Sequence, residues 1–165
     1  MGIFKNLFGT KAEKSELQND FDRHFPDVIK ALLIVKMETG LDWTIVLPNA
    51  KRVAGLVILK SLGPTGASQL YDKWLNELEK RNGVPASAIR EFKVPKERQE
   101  DKDLVVGMLV DLMEARIKEG NNPLPVAMAL DNCADFIAND KVAGWYSTAL
   151  ANQIRQEAKS GEFDL

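Results

Sequence analysis

Apolar side chains recur at three- and four-residue spacing along most of the chain, the period of a helix with one buried face. Ser15 followed by Gln18 fits a capping box, and Leu17 and Phe21 fall one turn apart behind it, which predicts a first helix to about His24. Pro26 suits the first turn of a second helix that carries Val28, Ile29, Leu32, Leu33, Ile34, Val35 and Met37 and stops at Gly40. Being apolar on most sides, that helix is expected at the centre of the fold. Leu70, Tyr71, Trp74, Leu75 and Leu78 form another inward stripe, closed by Asn82-Gly83. Residues 103–117 are mostly apolar and predict a second enclosed helix. After the break at 119–125, Val126, Ala129, Leu130, Cys133, Phe136 and Ile137 keep helical spacing, with Asp131 and Asp135 expected to face out. A last helix from Asp140 to about Ser160 aligns Val142, Tyr146, Ala149, Leu150 and Ile154.

Residues 41–62 read two ways. Trp43-Thr44-Ile45-Val46-Leu47 is β-branched and aromatic and ends at Pro48, the pattern of a short strand. Residues 52–62 fit either period; Asn49 as N-cap and Gly63-Pro64 as stop favour a helix there. The alternative is a hairpin of 42–47 with 53–59. The expected fold is therefore mainly α, a compact single-domain bundle of about six to eight helices, with an extended or hairpin segment around 42–59 as the variant. Its organisation is an amphipathic N-terminal segment over 1–14, a helical domain over 15–160 and a flexible tail over 161–165.

Composition narrows the function classes. The chain has 165 residues, 45% hydrophobic and 28% charged, which is ordinary globular usage and disfavours disorder. A net charge of -2 supplies no field that would draw the molecule to phosphate backbones or anionic lipid, so nucleic acid is not an expected partner. Cys133 is the one cysteine; it can form no intrachain disulfide, and a reducing, cytoplasmic setting is expected. No secretory signal is read at the N-terminus, because Lys5 interrupts its apolar stretch.

Candidate chemistries fail one by one. His24 is the one histidine, so zinc motifs with paired histidines are excluded, and no cofactor or metal is expected. Cys133 on an apolar stripe beside two aspartates lacks the electropositive setting of a reactive thiol and reads as a buried structural residue. The pairs Asp111 with Glu114 and Asp131 with Asp135 share a helical face, as acid–base pairs do, but solvated surfaces show the same spacing. Asp101 and Asp103 open like a calcium loop without its glycine or its later ligands. Gly63-Pro64-Thr65-Gly66 lacks the lysine and hydroxyl of a phosphate cradle. The basic residues around Phe92 are diluted by Glu91, Glu97 and Glu100 and read as a solvated connector. No catalytic residue is assigned.

One segment invites contact. Ile3, Phe4, Leu7 and Phe8 make a compact apolar face flanked by Lys5, Lys11 and Lys14. Burying those four side chains is worth roughly 6 to 12 kcal/mol at most, and ordering the backbone costs about 1 to 2 kcal/mol per residue. The segment should order only where it meets a groove, in its own domain, in a protein partner or at a lipid surface. The expected function is a non-enzymatic cytoplasmic interaction or adaptor domain with these four residues as its partner contact. The alternative is an enzyme or small-ligand binder using a helix-lined pocket. Oligomeric state is left open by the residues.

Overall fold

In the computed structural model, which describes residues 11–89 and 94–163 apart from the side chains at 11–15, 17 and 86, every regular element is helical. The expected α class and single bundle are what is found, with five α-helices where six to eight were expected. The difference lies at two positions where the helix continues through an interruption.

The first is Pro26. It lies inside α1 (Lys11–Thr39), which joins the two helices expected on either side of it. Proline in a helix interior costs about 3 kcal/mol. Pro26 faces solvent, however, while Phe21, His24 and Val28 on both sides of it are buried, so one continuous packed face holds the helix together. Ser15 consequently sits within the helix and does not open it. Gly40, in the left-handed region at φ 66°, closes α1 by donating to the Lys36 carbonyl at 3.0 Å.

The second is Gly63, inside α2 (Trp43–Asn82). At φ 73° and ψ 173° it occupies a region reserved for glycine and kinks the helix, so the expected stop is a bend between two packed halves. The extended reading of 43–47 is overturned. Asp42 accepts from the Thr44 amide and the Thr44 hydroxyl, both at 2.8 Å, and so caps the helix before the β-branched run begins. Pro48 cannot donate to the Thr44 carbonyl one turn back; the Tyr146 hydroxyl donates to it instead, at 3.3 Å. Asn49, read as a cap, donates to the Ile45 carbonyl from within the helix at 2.9 Å.

A 3₁₀ turn (Ala86–Ile89) leads toward α3 (Gln99–Lys118), followed by α4 (Pro123–Ile137), a π turn (Ala138–Val142) and α5 (Gly144–Ser160). Asn122 caps α4 by accepting from the Leu124 amide at 3.1 Å, with Pro123 at the first helical position. The centre belongs to α2, α4 and α5. α2 packs most extensively on α5 and then on α4, and α1 packs on α4. The expectation of α1 and α3 at the centre is corrected. Leu33, Ile34 and Met37 of α1 and Leu104 and Leu112 of α3 are exposed, and α3 buries only Val105, Leu109 and Met113, a stripe one residue wide. α4 takes the middle because it carries just two charges, both met inside the bundle. Close approach between elements requires a glycine at Gly55, where a β-carbon would stand 2.9 Å from the Tyr71 hydroxyl and 3.0 Å from the Phe163 ring.

Candidate functional site

Asp131 and Asp135, one turn apart on α4, do not face out. Both are buried, and both meet Lys51 from the first half of α2. The Lys51 ammonium lies 3.0 Å from Asp131 Oδ1 and 2.9 Å from Asp135 Oδ1, and its side chain has 0% exposure. Trp74, from the second half of α2, places its ring 5.9 Å from the same ammonium. The Tyr71 hydroxyl comes near Asp131 without the alignment of a full hydrogen bond. The kink at Gly63 thus brings Lys51 and the Tyr71–Trp74 turn of one helix to the same pair of acids.

Burial governs the charges of this cluster. It pushes the Asp131 carboxyl up to about 7 against the pull of Lys51, with the Asp135 charge adding to the rise. Asp135 is raised for the same reason, again opposed by Lys51. For Lys51, burial opposes the charge, but the two carboxylates outweigh it and hold the ammonium above its ordinary value. Two acids around one base leave one negative charge in excess, which a single proton on Asp131 removes. The cluster can therefore hold a proton, but the side chains of Lys51 and Asp131 present no surface to a substrate.

Asp135 is where the cluster meets the outside. Its side chain keeps 9% exposure and lines a cavity of about 340 Å³ between α1, α2 and α4. Phe21, Phe25, Trp74 and Phe136 supply its aromatic walls. The Phe21 and Phe25 rings stand 5.8 Å apart, and Phe136 meets Phe25 edge-on at 6.1 Å. Phe136, expected on the inner stripe, is 56% exposed because its wall opens to solvent. Glu77, Leu78, Arg81, Asn132 and Asn139 complete the lining.

The other singled-out residues fall as follows. Cys133 is buried and its thiol, pushed up by burial, lies 3.6 Å from the Phe25 carbonyl. His24 is buried against α3. Its Nδ1 accepts from Arg116 Nε at 3.1 Å, and burial followed by the nearby guanidinium of Arg116 lowers its pKa. Asp111 and Glu114 are exposed and stand apart from both the cluster and the cavity. Ile3, Phe4, Leu7 and Phe8 lie outside the described residues, as does the basic stretch at 90–93. Among the described residues no group of three or more His, Cys, Asp or Glu side chains is placed to share a metal ion, and no helix is long and apolar enough to cross a membrane.

Lys51 escaped the sequence reading, although a signal was present. Every residue from Val46 to Gly55 except Arg52 is buried, and the only charges on α4 that could answer Lys51 are Asp131 and Asp135. Searches with this chain found no matching family model, no matching curated protein and no matching solved structure.

Proposed function

We propose that this chain is a non-enzymatic cytoplasmic interaction or adaptor protein that binds a protein partner through apolar side chains held at its surface. The observation that carries this reading is the outer face of α1. Met37 is 80% exposed, Ile34 50% and Leu33 44%, neighbours at helical spacing that no other element among the described residues covers. Methionine suits such a face, since its flexible thioether adapts to a partner's contours. The segment carrying Ile3, Phe4, Leu7 and Phe8 is the second contact element of the proposal. Against chemistry as the main role stands the placement of Lys51 and Asp131, whose side chains have no exposure where a substrate would need them open.

The test compares three proteins as bait in a native lysate: the full chain, Ile34→Glu/Met37→Glu, and a chain beginning at Ala12. Glutamates at these exposed positions should leave the thermal midpoint nearly unchanged, because surface substitutions usually stay within about 0.5 kcal/mol. A partner retained by the full chain and weakened about tenfold or more by the double variant supports the reading. Equal capture by the folded double variant and the full chain contradicts it. Flotation of the full chain and of the shortened chain with anionic vesicles separates a protein contact of the N-terminal segment from a lipid contact.

A further inference from the structure

Beyond that surface, the cavity between α1, α2 and α4 has a composition that an apolar contact does not require. Its walls are aromatic, and its polar groups divide into two kinds. On the acceptor side, Asp135 gives Oδ1 to Lys51, and its second oxygen has no hydrogen-bond partner among the described residues. Asn132 spends its amide nitrogen on the Met128 carbonyl at 2.9 Å, which leaves its own side-chain oxygen free to accept. On the donor side, Asn139 accepts from the Ser147 hydroxyl at 2.9 Å through its oxygen, which leaves its amide nitrogen free to donate. Arg81 forms no ion pair among the described residues, yet its charge is close enough to Asp135 to be felt by that carboxyl.

An unpaired guanidinium and a half-used carboxylate therefore stand on one lining, each with an amide of matching polarity, beside four aromatic side chains. A cation alone would meet Arg81 as a like charge, and an anion alone would meet Asp135 and Glu77. A molecule bearing both charged groups on a single carbon, with an apolar arm, satisfies both. We infer that this cavity binds a free apolar α-amino acid: the ammonium on Asp135 and the Asn132 oxygen, the carboxylate on Arg81 and the Asn139 amide, and the side chain among Phe21, Phe25, Trp74 and Phe136. A cavity of about 340 Å³ is of the size that takes a small ligand. The free amino acid, rather than a peptide end, is the ligand, because only there do the two charges sit side by side.

The experiment is a titration of the isotope-labelled full chain, followed by amide resonances, with L-phenylalanine and L-leucine. Two derivatives of each serve as controls: the N-acetyl form, which lacks the ammonium, and the amide, which lacks the carboxylate. Saturable shifts at Asn132, Asp135, Phe136 and Asn139 are expected for at least one of the two amino acids. Each of its derivatives should bind about tenfold more weakly or worse, the cost of leaving a charged partner unanswered. Arg81→Gln, at an exposed position, should abolish the preference for the amino acid over its amide while keeping the preference over the N-acetyl form. Equal binding of all three forms would reduce the cavity to an apolar hole and overturn the inference. So would the absence of any saturable shift up to about 20 mM, a concentration far above the range of useful specific binding, or shifts confined to residues outside the cavity.

Discussion

Replacing Lys51 by methionine leaves Asp131 and Asp135 facing one another inside the bundle with no cation between them. Removing one partner of a buried ion pair costs about 3 to 5 kcal/mol, so Lys51→Met should be strongly destabilised at neutral pH. The sign of the pH dependence follows from the carboxyl groups. Asp131, raised to about 7, holds its proton more tightly folded than unfolded. Its contribution to stability is complete below the unfolded value of 3.8 and is lost as pH rises through about 7. Without Lys51 both acids lean further toward the neutral form, so the penalty of the substitution should shrink on going from about pH 8 to about pH 5. Urea melts of both proteins at the two pH values measure this. A penalty that is the same at both would mean that the acids are not charged partners of Lys51. The orientation of Asp131 and Asp135 was not legible in the sequence because their partner lies 80 and 84 residues away. Helical spacing shows that two acids share a face, but the identity of what covers that face belongs to the packing.

Within the elements, local preference was overruled wherever a distant group answered a local defect. Trp43-Thr44-Ile45-Val46-Leu47 has the composition of a strand, yet it is helical because Asp42 caps it and Tyr146 of α5 meets the carbonyl that Pro48 leaves free. Tyr146→Phe keeps the ring and removes that donor. The orphaned Thr44 carbonyl should cost about 1 to 3 kcal/mol in a denaturant melt, and no measurable loss would show that the carbonyl finds another partner. The inward stripes at Leu70–Leu78 and Val126–Cys133 were legible because their periodicity coincides with burial. The span of α1 and of α2 was not. Pro26, read as a helix start, and Gly63, read as a stop, are both boundary signals by local rules, and only the packing on either side of each reveals that the helix continues. Exposed Leu33, Ile34 and Met37 were misread as core for the opposite reason: hydrophobicity is visible in sequence, and the lack of a neighbour is not.

At the scale of the molecule, the charges that could do chemistry are inside and the apolar groups that could make contacts are outside. α4 carries its two acids into the centre, where α2 neutralises them from one half and encloses them with Tyr71 and Trp74 from the other. α1, lying on α4 at the edge, turns an apolar ridge to solvent. If the interior cluster serves the architecture alone, it is dispensable once its volume is kept. Replacing a buried ion triad by groups of similar size is often neutral, or stabilising by about 1 to 4 kcal/mol. The most direct measurement is partner capture by the triple variant Lys51→Met/Asp131→Leu/Asp135→Asn beside the full chain, both first shown to be folded by the same thermal melt. Placing function at the surface predicts that the folded triple variant retains the same partner with the same apparent affinity. A folded triple variant that has lost the partner, while Ile34→Glu/Met37→Glu still holds it, would put the function in the buried charges and contradict that placement.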